Sequence, residues 1–248
     1  MSGRLREAIV PAYLFLCLLL GGSSQGAWSN LVLQLLALAL IGWSLITLVE
    51  EPLSRPAGRL LAIAGAAVLI GFAHLVPLPP AIWSALPGRS FVADGFAILG
   101  QPLPWLPLSL APYDTIATLL TLLPPIAVLA AMLRLKAYRP EWLLAALIAG
   151  TIAGVLLGVM QVSSEGPDSP WRLYRITNRG VATGFFANSN HMAALLVVSI
   201  PFLAALAAWS RRRSDDRQRY SAIIVLAAAA LLVKFVGLCL LAAGIVAA

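Results

Sequence analysis

The sequence predicts an all-α fold, a polytopic bundle of about seven transmembrane helices with a cytoplasmic N-terminus, and three observations predict it. The first is composition: of 248 residues 60% are hydrophobic and 11% charged, with a mean hydropathy of +0.91. A soluble domain is roughly half apolar and about a quarter charged. This chain has too few charges to hold so much apolar surface in water, whereas hydrocarbon needs no polar covering. The second is that the apolar residues are gathered into stretches close to the ~20 residues a helix needs to cross a bilayer. The third is that the cations crowd into alternate loops.

Taken in order, the spans fall near residues 9–22, 30–49, 60–76, 115–133, 142–161, 191–209 and 220–241, forming a single transmembrane domain over 1–248. Arg4 and Arg6 precede the first, and small residues follow it at 21–24, as in a cleaved signal sequence. No Ala-x-Ala site follows, and six further spans already commit the chain to the membrane, so the stretch reads as a retained first helix. With the N-terminus inside, twelve cations are cytoplasmic: Arg4, Arg6, Arg55, Arg59, Arg134, Lys136, Arg139, Arg211, Arg212, Arg213, Arg217 and Arg219. Only Arg89, Arg172, Arg175 and Arg179 lie outside, and Lys234 falls in the last span. The net charge of +7 is then explained by topology and by contact with anionic membrane lipid, with no call on nucleic acid. The run from Arg211 to Arg219 is a topology anchor on the same logic.

Several chemistries find no support in the residues. Cys17 and Cys239 sit in apolar spans without metal-ligand spacing, and a buried cysteine commonly behaves as a small hydrophobe. There is no internal repeat, nucleotide-binding glycine motif, Ser-His-Asp arrangement or carboxylate cluster suited to a divalent metal. Neither a cofactor nor a metal is expected.

The two outer loops carry the remaining information. In the loop 77–113, prolines interrupt helix, and Trp83 and Trp105 among many leucines suggest a segment in the lipid headgroup region, with Arg89 its one cation. The loop 162–190 places Trp171, Arg172, Tyr174, Arg175 and Arg179 against the positive-inside tendency. Arginine offers a planar fork of donors that fits phosphate, and the two aromatic rings offer faces on which a sugar can stack. The plainer reading is that these arginines meet headgroups or pair with Glu165 and Asp168. Asn188, Asn190 and His191 then stand where the next span begins, a costly place for polar groups unless they are bonded. They read equally as site residues or as helix caps, with Ser189 or Asn190 as the capping residue.

The run Gly184-Phe185-Phe186-Ala187-Asn188-Ser189-Asn190-His191-Met192-Ala193 resembles the Gly-Thr-Phe-x-Asn-x-Asn-His-Phe-Ala motif of the O-antigen ligase and polymerase superfamily, bacterial polytopic membrane proteins. Phe185 replaces the usual polar residue and Met192 the aromatic one. The earlier loop is similar too, in Pro77-Leu78-Pro79-Pro80, Trp83, Leu86-Pro87-Gly88-Arg89 and Pro107-Leu108-Ser109-Leu110-Ala111-Pro112 with Thr115. The resemblance implies a metal-independent, inverting glycosyltransferase of the bacterial inner membrane. It would move a glycan from an undecaprenyl-pyrophosphate carrier to a lipid, polysaccharide or protein acceptor on the periplasmic face, as in lipopolysaccharide biosynthesis.

Under that resemblance Arg175 and Arg179, with Arg172 behind them, would meet the pyrophosphate. Asn188, Asn190 and His191 would shape the site; the role of His191 at a helix start is positional, and an imidazole also keeps a general-base role open. The family's larger periplasmic loop, with its functional His and further Arg, comes after more helices than this chain contains. Where members often have Ser-Arg-Gly, this sequence reads Lys234-Phe235-Val236-Gly237. The expectation is therefore an N-terminal portion of such an enzyme. A transporter or flippase component for lipid-linked sugars, or a non-catalytic truncated membrane subunit, are the other readings.

Overall fold

The computed structural model describes residues 3–47, 53–164 and 169–212. Helix dominates, in the order α1 (Gly3–Leu20), α2 (Ala27–Ile46), α3 (Arg55–Ala73), α4 (Pro80–Trp83), α5 (Ser90–Ile98), α6 (Pro112–Ala130), α7 (Pro140–Ser163) and α8 (Ser189–Arg212). Two residues of strand, β1 (Pro77–Leu78), pair antiparallel with β2 (Leu106–Pro107) and are the small exception to an all-α reading among the described residues. The local signals are ordinary ones. Ser54 caps α3, its hydroxyl accepting from the Ala57 amide at 3.4 Å, and proline opens α3, α4, α6 and α7, where its missing N–H costs nothing. Pro124 and Pro125 remove two donors from the middle of α6, which widens into a π-helical turn over Ala131–Leu135.

Four helices are long and apolar enough to cross a membrane: α2, α3, α6 with its π turn, and α7. They belong to a membrane protein, and their surfaces agree: Ala57 is the one buried residue among the described residues of α3, a surface that lipid can cover and water cannot. Helix α1 is apolar after its first turn but opens with Arg4, Arg6 and Glu7, six residues earlier than the expected span. In α8 the described apolar stretch is Ser189–Ala205. The span expected at 220–241, with Lys234 and Cys239, lies outside the described residues.

The chain forms two compact units. In the first, Met1–Leu36 with Lys136–Ala248, α1 lies along α7 and α7 packs on α8. Close approach is possible because Gly150, Gly154 and Gly158 recur every fourth residue on one face of α7, where they meet Leu18, Met192 with Phe185, and Ala182 in turn. Met192, Leu196 and Leu203 form the buried core here with Ile148, Val155 and Phe186 against them. The Tyr13 hydroxyl donates to Leu33 O at 2.8 Å and ties α1 to α2.

The connections of this unit gather at its two ends. At one, the Val10 amide donates to Ala137 O (3.2 Å) and Arg139 Nε lies 2.6 Å from the Glu7 carboxylate. At the other, the Ala187 amide donates to Gly22 O (3.0 Å), joining the α1–α2 turn to the α7–α8 connection. Arg4, Arg6 and Arg139 thus stand at the end opposite to Arg172, Arg175 and Arg179.

In the second unit, Ala37–Leu135, α3 packs on α6. The Ser109 amide donates to His74 O (2.9 Å), so the segment between these helices begins and ends at one place. Two side chains fold that segment from within. Trp83, expected among the headgroups, is instead wholly buried, its Nε1–H donating to Pro104 O at 2.9 Å. Arg89 is buried as well, and its Nη2 donates to Pro107 O (3.1 Å) and Leu108 O. A proline-rich strand lacks donors of its own, so its carbonyls take them from these side chains.

Candidate functional site

The α7–α8 connection is built on a residue that sequence reasoning passed over, Gln161 at the end of α7. Its side chain is 2% exposed, and it behaves like a strand edge for the loop. Oε1 accepts from the Thr183 amide (2.9 Å), the Thr183 hydroxyl (3.1 Å) and the Gly184 amide (2.9 Å). Nε2 donates to Trp171 O (3.1 Å) and Gly184 O (2.9 Å). A buried amide must be bonded, and here one side chain satisfies both flanks of the loop. The signal in the sequence is a glutamine ending an otherwise apolar span.

Two further supports hold the loop. Gln25, in the α1–α2 turn, donates from Nε2 to Ile176 O (2.7 Å) and accepts from the Ile176 amide (3.1 Å). Glycine is required at two contacts. Gly184 has φ +57°, and a Cβ there would stand 2.8 Å from Gly154 O. A Cβ on Gly22 would collide with the Phe185 carbonyl.

The three arginines are not equivalent. Arg172 is half-buried, with Nη1 donating to Asn178 O at 2.6 Å, so its fork is turned inward to the loop's own backbone. Its Nε is buried with no hydrogen-bond partner among the described residues. Arg175 and Arg179 are exposed and form no hydrogen bond or ion pair with the described residues. Glu165 and Asp168, their alternative partners, lie outside the described residues. Tyr174 is half-buried between Arg172 and Arg175 in sequence, and burial pushes its phenol above the ordinary tyrosine range. Trp171 remains exposed.

The polar cluster at the start of α8 divides in the same way. Asn188 is the cap, where Ser189 or Asn190 was expected: its Oδ1 accepts from the Asn190 amide (2.8 Å) and its carbonyl from the His191 amide (3.1 Å). Asn178 reaches from the loop to take the Ser189 amide at 2.9 Å. The first three amides of α8 are therefore satisfied within the chain rather than open to a ligand. Asn190 and His191 are exposed, and the His191 ring stacks on Phe186 with centroids 6.1 Å apart.

The arrangement as a whole is a folded loop at one end of a helical unit, presenting Trp171, Arg175, Arg179, Asn190 and His191 to the exterior. Such a surface can attract an anion through its guanidinium groups and contact a ring through its aromatic face. Among the described residues no three His, Cys, Asp or Glu side chains gather as a metal site would require.

Fold and site together define a helical membrane protein with a structured, arginine-bearing connection between two of its helices. Comparison with models of known families, with curated proteins and with solved structures finds no match to this chain.

Proposed function

We propose that the chain takes part in O-antigen ligase-like transfer of a glycan from an undecaprenyl-pyrophosphate donor to a lipid, polysaccharide or protein acceptor at the periplasmic face of a bacterial inner membrane. One observation carries the reading. The loop that sets Arg175 and Arg179 outward is held in a defined shape by Gln161, at the end of its unit away from Arg4, Arg6 and Arg139. The positive-inside tendency assigns the latter end to the cytoplasm and the N-terminus with it. Two exposed cations on the opposite side, on a shaped loop, suit a ligand with phosphate charge. About seven spans, including 220–241, complete this topology.

The chemistry follows from charge. In an inverting transfer the acceptor oxygen attacks the anomeric carbon as the bond to the pyrophosphate oxygen breaks. Negative charge builds on the departing pyrophosphate, and guanidinium groups held near it lower the barrier more in the transition state than in the ground state. Arg175 and Arg179 take this role. Arg172, committed to Asn178 O, keeps the loop in shape behind them. Trp171 offers a face to the sugar, and His191, lying on Phe186, shapes the neighbouring surface together with Asn190.

The test is transfer of a fluorescent glycan from its undecaprenyl-pyrophosphate carrier in membranes containing the protein. Arg175→Ala or Arg179→Ala is expected to lower the transfer rate by roughly 10²-fold, the scale for one lost charge-stabilising donor, with the protein still folded. Movement of the lipid-linked sugar across the bilayer without transfer would instead establish a transport component. Unchanged transfer in the double variant would remove these arginines from the reaction.

A further inference from the structure

The segment between α3 and α6 has its polar and apolar groups reversed relative to a water-soluble subdomain. Within residues 77–113 the charged side chains are Arg89 and Asp94. Arg89 is buried and spent on the carbonyls of Pro107 and Leu108, and Trp83 is buried with its indole N–H on Pro104 O. Outside are Phe91 (84% exposed), Ile98 (86%), Leu99 (71%), Trp105 (64%), Leu110 (71%) and Tyr113 (85%). Helix α5, which carries two of them, buries none of its residues. So many exposed large apolar side chains in one short segment mark a contact, because soluble surfaces seldom gather them.

What makes the contact is indicated by where the segment is fixed. The Ser109 amide on His74 O, and the Ser109 and Thr115 hydroxyls 2.7 Å apart, close it at the shared end of α3 and α6. Both of those helices are long and apolar enough to span a bilayer, and their own surfaces are largely uncovered. The apolar face of the segment is thus continuous with the lipid-facing surface of the two helices. Trp105 and Tyr113 have the amphipathic rings favoured at the headgroup level.

We propose that residues 77–113 form a membrane-surface platform, with α5 lying in the interface and Phe91, Ile98, Leu99, Trp105 and Leu110 inserted at the headgroup–acyl boundary. Since its one cation is used internally and its exposed charge is the carboxylate of Asp94, the platform binds by apolar burial and gains nothing from anionic lipid, unlike basic interfacial helices. The proposal rests on α3 and α6 crossing the membrane and does not depend on glycan transfer.

The experiment places nitroxide labels, one at a time, at Phe91, Ala97, Ile98, Leu99 and Ile63 of α3. It uses the full chain with Cys17→Ala and Cys239→Ala, in phosphatidylcholine nanodiscs with and without phosphatidylglycerol. Collision with lipid-soluble oxygen is expected to exceed collision with an aqueous nickel chelate several-fold at Phe91, Ile98 and Leu99, and to fall below it at Ala97, which is exposed on the side of α5 turned away from Phe91 and Leu99. Nickel-dominated collision at the apolar positions overturns the platform, and shielding from both reagents overturns lipid as the occupant in favour of protein. Insertion that requires phosphatidylglycerol overturns binding by apolar burial. The label at Ile63 isolates the premise, since nickel access there means that α3 does not span. In the unlabelled chain, brominated lipid should quench tryptophan emission, and Trp105→Phe should reduce that quenching while the buried Trp83 keeps its own emission. Quenching unaffected by Trp105→Phe counts against the proposal.

Discussion

At the scale of single residues, the α7–α8 connection is organised by one buried amide at the end of an apolar helix. Gln161 supplies partners to four backbone groups of the arginine-bearing loop, and removing it leaves buried donors and acceptors with nothing to bond. Each such group costs about 1–3 kcal/mol, so Gln161→Leu is expected to lower thermal stability in detergent and to raise hydrogen exchange at the Thr183 and Gly184 amides. Gln161→Glu is the informative companion. A carboxylate keeps the acceptor role toward Thr183 and Gly184 but turns an acceptor toward Trp171 O and Gly184 O, so it should loosen the Trp171 side of the loop more than the Thr183 side. Residue type alone did not announce this, because a glutamine near a span end is as well suited to meeting water. Arg172, Arg175 and Arg179 stood out at once from their charge, yet their division into one inward and two outward side chains depends on Asn178 O, which no pattern of charge encodes.

At the scale of elements the helices were legible and their joints were not. Apolar length located α2, α3, α6, α7 and the start of α8 to within a few residues, because hydrocarbon thickness imposes that length directly. The segment 77–113 was legible as a headgroup-level stretch in which prolines prevent continuous helix, but not in its internal structure. Its short helices and strand pair arise from side-chain donors meeting proline carbonyls far apart in sequence, as Trp83 does with Pro104. The cap of α8 stands one position from the nearest expectation, at Asn188 and not Ser189, since the Ser189 hydroxyl is turned to the Asn178 side chain (3.4 Å) and the Asn190 amide is taken by Asn188. The difference is testable. Asn188→Ala should cost ~1 kcal/mol of stability, while Asn188→Asp, an equally good cap, should retain it. Calorimetry or thermal scanning of both variants would check this, and equal destabilisation by the two would show that Asn188 acts other than as a cap.

For the whole molecule, the contacts at the two ends of the first unit set a rule for sidedness. A membrane-impermeant thiol reagent should label a cysteine placed at Lys136 from one side of the membrane and a cysteine placed at Arg179 from the other, in the background lacking Cys17 and Cys239. Labelling of both from one side would contradict the unit's spanning a membrane between those ends. Composition revealed the membrane character of the chain; the pairing of its early and late segments was invisible to it, because glycine spacing in α7 reveals close approach without naming the partner. The clasp of Gln25 on Ile176 has a consequence in time. These residues are 151 positions apart, so during synthesis the first turn is made long before the backbone it will hold. Helix α1 must wait without α7 beside it, and the arginine-bearing loop acquires its shape only when α7 has brought the chain back to the α1–α2 turn. Loop formation is thereby a late event in assembly, and a nascent chain released before α8 would hold the arginines on an unformed connection.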